Sequence, residues 1–256
     1  MATPHILILG GTTQARELAT LLEPHHPQLR TTLSLAGRTL TPAKQAGELR
    51  VGGFGGTAGL VQWLREQAVD ILVDATHPFA ATMSRHALAA VQETGIPLIV
   101  LERPPWQPVA GDHWIDVPDM EAAAAALGDM PQSVFLAIGR QTLAVFQKYP
   151  QHRYIIRSIE APNTEDVLPN ALSIFARGPF QVSDERTLFK THGITRIVAK
   201  NSGADATEAK LIAARELGIP VLMVRRPLPR NSDATTAEDA MQCILNHLAS
   251  GSARGE

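Results

Sequence analysis

Residues 5–22 read HILILGGTTQARELATLL, and the fold class follows from them. His5 to Leu9 is a short apolar run with no polar alternation. Gly10-Gly11-Thr12-Thr13 stops it, and Ala15, Leu18, Ala19 and Leu22 then recur at helical spacing. An apolar strand, a glycine turn and an amphipathic helix form the repeating unit of a parallel sheet covered on both faces. Outward from this stretch the pattern recurs. Leu29 to Leu35, Asp70 to Asp74 and Ile96 to Leu101 read as strands, with helices after Thr57 and within Phe79 to Glu93. Pro24 and Pro27 end the first helix.

Glu102-Arg103-Pro104-Pro105-Trp106-Gln107-Pro108 breaks the alternation with a stiff extended segment. A domain boundary is expected there, giving domains 1–105 and 106–256. The second half repeats the grammar. Trp114 to Val117, Val134 to Ile138, Tyr154 to Ser158 and Ile194 to Ala199 read as strands, and Gly139-Arg140-Gln141-Thr142 opens a helix carrying Leu143 and Phe146. Val69 to Pro104 and Ile194 to Pro227 form a weak internal repeat. Each runs strand, polar loop, alanine-rich helix, Gly-Ile-Pro, strand and Arg-Pro. The expected architecture is α/β, with two Rossmann-like domains of parallel sheet flanked by helices and a ligand cleft between them.

Composition narrows the classes. The 256 residues are 45% apolar and 19% charged, with net charge −2, which suits a globular protein and lacks the basic excess of a nucleic-acid binder. A single cysteine, Cys243, leaves no intramolecular disulfide or multi-thiolate zinc site and suits a reducing compartment. The apolar run at His5 to Leu9 meets Gly10 too soon for a secretion signal, and no stretch could span a bilayer. A cytoplasmic protein without metal is expected.

Ligand chemistry concentrates at the ends of the strands. Gly10 and Gly11 let backbone approach a ligand, and Thr12 and Thr13 open a helix whose N–H groups suit a phosphate. Leu33-Ser34-Leu35-Ala36-Gly37-Arg38-Thr39 has no acid where an NAD site places one, and Arg38 can pair with a ribose 2′-phosphate. Together these point to NADPH, with Gly37 and Arg38 in the site. Gly52-Gly53-Phe54-Gly55-Gly56-Thr57, with Gly55 the contact expected from it, and the strand-end pair Thr76 and His77 complete the cofactor set. His77 is equally readable as a capping residue, and the glycine run as a plain loop. In the second half, Lys200-Asn201-Ser202-Gly203 follows a buried strand at the position matching Asp74 to His77. Lys200 and Ser202 there, with arginines near strand ends such as Arg140 and Arg226, suit a polycarboxylate. Lys210 and Arg215 read as the wet face of a helix. Neither Tyr149 nor Tyr154 is followed four positions later by lysine, which excludes short-chain reductase chemistry.

The assembled motifs resemble the precorrin-6A reductase family. They are Ile8-Leu9-Gly10-Gly11-Thr12, Ala36-Gly37-Arg38, Asp74-Ala75-Thr76-His77-Pro78-Phe79-Ala80 and Glu102-Arg103-Pro104-Pro105-Trp106. Ile138-Gly139-Arg140, Gly178-Pro179-Phe180, Lys200-Asn201-Ser202-Gly203 and Arg225-Arg226-Pro227 continue the match in order to about residue 230. The resemblance implies NADPH-dependent reduction of one double bond of the precorrin-6A macrocycle to precorrin-6B, in cobalamin biosynthesis. It implies a small tetrapyrrole as the partner, with neither nucleic acid nor membrane. The cofactor would lie on Gly10, Gly11, Thr12, Thr13, Gly37, Arg38, Gly55, Thr76 and His77. The ring's acetate and propionate groups would meet Arg140, Lys200, Asn201, Ser202, Gly203 and Arg226. Lys200, His77 and water are the open choices for the proton donor. Alternatives are an NADPH reductase of another bulky anion, and a nucleotide-sensing module without turnover.

Overall fold

His5–Leu9 forms strand β1, and all five of its residues are buried. In a computed structural model, which describes residues 3–37, 47–159, 168, 170–227 and 231–252, β1 has a parallel neighbour on each side. These are β2 (Arg30–Leu35) and β4 (Ile71–Asp74). Adding β3 (Glu48–Val51) and β5 (Leu98–Val100), the sheet runs β3-β2-β1-β4-β5, all parallel. A strand paired on both edges and covered on both faces has no wet side, hence the unbroken apolar run at β1. Successive side chains go to opposite faces. Ile6 and Ile8 pack with Ala15, Leu18 and Leu22 of α1 (Thr13–Leu22). Leu7 and Leu9 pack with Leu60 and Leu64 of α2 (Gly56–Glu66) and with Ala87 and Ala90 of α3 (Ala81–Thr94).

The chain divides into two compact units, Met1–Pro104 with Leu228–Glu256, and Pro105–Pro227. The first boundary lies in the proline-rich segment, one residue from the expected position. The C-terminal segment, expected with the second domain, belongs instead to unit 1. The reason is burial: Ala234, Ala237, Ala240 and Ile244 share the core of β1 and α1.

Unit 2 carries β6 (Trp114–Val117), α4 (Met120–Ala125), β7 (Ser133–Ala137), β8 (Arg153–Ser158) and β9 (Ala171–Phe175). After these come α5 (Val182–Thr191), β10 (Arg196–Lys200), α6 (Ala209–Leu217) and β11 (Val221–Val224). Its parallel sheet runs β6-β11-β10-β7-β8-β9. Apart from β6, this is the winding of unit 1, and the internal repeat in the sequence maps β4-α3-β5 onto β10-α6-β11. Arg140–Lys148 forms a 3-10 helix where an ordinary helix was expected. Leu143 and Phe146, three apart and fully buried, stack on one face at the 3-10 period. The Tyr154 hydroxyl holds its last turn by donating to the Tyr149 carbonyl at 2.8 Å.

Each sheet has one outer position filled out of order. The chain leaving β5 supplies β6 to the edge of β11 in unit 2. The chain leaving β11 returns to unit 1, where Ala234 bridges Leu101 in parallel, just past β5. Its carbonyl accepts from the Glu102 amide at 3.0 Å, and the Asp233 carboxylate accepts from the Val100 amide at 2.8 Å. The final helix, α7 (Ala237–Ser252), follows.

Candidate functional site

In a sheet wound this way, ligands bind at the carboxyl ends of the strands where the winding reverses, here between β1 and β4. Gly10 is required by packing: a Cβ on it would lie 2.7 Å from Cδ1 of Leu33. Gly11 is required by conformation. Its φ is +110°, and no heavy atom lies within 4 Å of where a Cβ would stand, so the turn presents bare backbone. Thr12 caps α1 by accepting from the Ala15 amide at 3.1 Å, and donates to the Ala75 carbonyl at 2.8 Å. One side chain thus fastens the turn after β1 to the turn after β4. Thr13 opens the helix and accepts from Arg16 at 3.1 Å. The first turn of α1 holds no acidic residue, so its N–H groups and positive dipole end are not neutralised locally.

After β4, the buried Asp74 carboxylate accepts from the Thr76 amide at 3.1 Å and from its hydroxyl at 2.6 Å. The Thr76 hydroxyl therefore shapes this loop from below. His77 is half-buried, and its Nδ1 accepts from the Phe79 amide at 3.2 Å. With Nδ1 accepting, a ring proton stands on Nε2, a hydrogen-bond donor. Gly37, Gly52, Gly55 and Gly56 all have positive φ, and Gly55 heads α2 in the left-handed conformation. Arg38 lies outside the described residues.

Sequence reasoning missed Arg50, on β3 directly opposite Ser34 of β2. Its guanidinium donates to the carbonyls of Gly52 (2.6 Å) and Gly53 (2.9 Å) and to the Ser34 hydroxyl (3.3 Å). It lies 3.7 Å above the Phe54 ring, and burial lowers its pKa. A visible signal existed: an arginine two positions before a glycine run can fold back onto its carbonyls.

In unit 2 the winding reverses between β7 and β10. Gly139, after β7, has φ +73° and open space at its Cβ position. Arg140 begins the 3-10 helix, and its side chain lies outside the described residues. Lys200 ends β10, half-buried, and Gly203 turns the loop at φ +68°. Asn201 has a task the sequence did not reveal: its side-chain amide accepts from the Trp106 backbone N–H at 2.8 Å and donates to the Trp106 carbonyl at 3.0 Å. Arg226 donates to the carbonyls of Asn201 (3.1 Å) and Ser202 (3.3 Å). Asn201 and Arg226 thus hold the Lys200–Gly203 loop in shape, and Ser202 is buried within it.

Beneath this loop lies a buried charged cluster. Lys210, expected on a wet helix face, is 3% exposed. Its Nζ lies 4.4 Å from the Trp106 ring centroid and donates to the Thr207 carbonyl. Burial, then the positive charge of Arg157, lowers its pKa to about 7. Arg157 pairs with Glu185 and stacks 3.6 Å over Phe180. Arg215, the other cation expected to be solvated, is part-buried and bonded to Asp112 at 2.8 Å. Among the described residues, no cluster of His, Cys, Asp and Glu could hold a metal ion, and no helix is long and apolar enough to cross a membrane.

Residues 5–245 match the family model described as precorrin-6x reductase CbiJ/CobK. A precorrin-6A reductase of Rhodobacter capsulatus is 46% identical over 245 residues, covering 95% of this chain and 97% of the relative. A cobalt-precorrin-6A reductase of Priestia megaterium is 29% identical, covering 96% of this chain and all of the relative. A solved structure, a CobK precorrin-6A reductase, superposes with a TM-score of 0.89 at 46% identity, over 95% of this chain and 97% of that one.

Proposed function

The chain belongs to the precorrin-6x reductase family of cobalamin biosynthesis, and from that premise we propose that it reduces precorrin-6A to precorrin-6B with NADPH. One observation carries the cofactor reading. A turn of bare backbone at Gly11 leads into a helix without acid in its first turn, while β2 ends Ser34-Leu35, with no acid where an NAD site has a carboxylate. The residues present therefore fit a pyrophosphate and a 2′-phosphorylated ribose. When bound, NADPH supplies a hydride.

The protein supplies placement. Gly11, Thr12 and Thr13 receive the pyrophosphate at the start of α1, and Arg38 the 2′-phosphate. The Nε2–H of His77 is a donor suited to the nicotinamide amide. Lys200, on the loop shaped by Asn201 and Arg226, and Arg140, at the start of the 3-10 helix, hold carboxylates of the ring. Reduction would need the acceptor carbon within about 3–3.5 Å of the hydride donor carbon, so placement is the protein's main contribution. The ring gains two hydrogens, one as hydride and one as a proton delivered by Lys200 or His77. Lys200→Met and His77→Asn, compared by solvent isotope effect, separate these donors. The metal-free ring is the substrate we favour, because the relative named for it is 46% identical and the one named for the cobalt form 29%.

The test is the absorbance of reduced nicotinamide with purified protein and NADPH. Loss of absorbance is expected only when precorrin-6A is added, with a product two hydrogens heavier. Faster turnover of the cobalt ring would reverse the metal assignment. Binding of NADPH without turnover of either ring would leave a nucleotide sensor.

A further inference from the structure

Some arginines among the described residues are spent on acids. Arg30 binds Glu48, Arg157 binds Glu185, Arg186 binds Glu216 and Arg215 binds Asp112. Arg50 differs. Its three hydrogen bonds go to two carbonyls and a hydroxyl, all neutral, and it has no carboxylate partner among the described residues. A guanidinium carries five N–H donors, so two remain unspent. Its charge is half-buried against Phe54, and that burial lowers its pKa.

Its position matters as much as its charge. Arg50 stands across from Ser34, one residue before the end of β2, a strand end that carries no acid. The turns after β2 and β3 touch: the Gly52 amide donates to the Leu35 carbonyl at 2.8 Å, and a Cβ on Gly37 would lie 3.4 Å from Val51. A ribose carried past Gly37 therefore meets the Arg50 loop, where Gly52, Gly55 and Gly56 leave backbone uncovered.

The geometry points to Arg50 as a specificity-determining residue, a rigid cation that recognises the 2′-phosphate of the nucleotide and selects NADPH over NADH. This rests on the cofactor reading above and adds to Arg38 a second arginine, held in place before the ligand arrives. Ser34, Gly52, Gly53 and the Phe54 ring fix the guanidinium, so little ordering entropy is lost on binding.

The experiment is calorimetric titration of the whole protein with adenosine 2′,5′-bisphosphate and with adenosine 5′-monophosphate, which differ only in the 2′-phosphate. Wild type should prefer the bisphosphate. Arg50→Met should weaken the bisphosphate by about 10–100-fold, the worth of one charge-assisted pair, and the monophosphate by less than about threefold. Arg50→Lys keeps the charge but not the fork and should fall between. Equal losses on both nucleotides would make Arg50 a prop for the glycine loop only, and undiminished preference in both variants would remove it from the site. No preference in wild type would instead bring down the NADPH reading itself, and this inference with it.

Discussion

Replacing Lys210 with methionine should change how stability depends on pH. In the unfolded chain the ammonium titrates near 10.5, and in the folded protein near about 7. Below pH 7 both states carry the proton and the cost of burying it is constant. Between 7 and 10.5 the unfolded state binds more protons than the folded one, so stability rises with pH. At 1.36 kcal/mol per pK unit, the wild type should gain up to about 5 kcal/mol across that window, and roughly half that if side chains and water relax around the charge. Lys210→Met removes the titration and keeps the volume. The variant should be the more stable protein at pH 7, and the advantage should shrink steadily toward pH 10. Urea denaturation at several pH values measures this, followed by tryptophan fluorescence, since Trp106 lies against the Lys210 ammonium. Taking the difference between the two proteins cancels every other group that titrates in the window. Parallel profiles would mean that Lys210 is solvated as an ordinary lysine.

Other substitutions probe the two strand-end loops. Thr12→Val removes both the cap on Ala15 and the link to Ala75, and should cost about 1–2 kcal/mol of stability while weakening nucleotide binding; thermal melts with and without NADPH measure both. Arg38→Ala should raise KM for NADPH much more than for NADH, and equal changes would take Arg38 out of the 2′-phosphate site. Asn201→Ala frees the Trp106 backbone and should raise KM for the ring while NADPH binding holds, as separate titrations would show.

Much of this was legible in the sequence because the central strands advertise themselves. β1, β4, β10 and β11 are nearly continuous apolar runs, and only a strand covered on both faces needs one. The edges were harder. β3, Glu48-Leu49-Arg50-Val51, is largely exposed with no apolar run to mark it, and β9, Ala171 to Phe175, is broken by Ser173 and only partly buried. The glycine turns and strand-end polar residues were visible by their place in the strand-helix alternation. What local pattern could not show was partnership at long range. Asn201 looked like a ligand contact, yet its amide holds Trp106, 95 positions earlier. Lys210 looked solvated because its cover, Trp106 with the Arg157–Glu185 pair, comes from distant segments. α7 has no motif, and its place against α1 is set only by Ala237, Ala240 and Ile244.

The out-of-order edge positions have a consequence for synthesis. Unit 2 is continuous from Pro105 to Pro227, so every residue it needs is synthesised before those that complete unit 1. Unit 1, although begun first, must wait with one side of α1 and the outer edge of β5 uncovered until Asp233, Ala234 and α7 emerge. The half made earliest is therefore the half finished last, and a chain cut before residue 233 would hold all of unit 2 but a unit 1 with apolar surface of α1 and β5 uncovered.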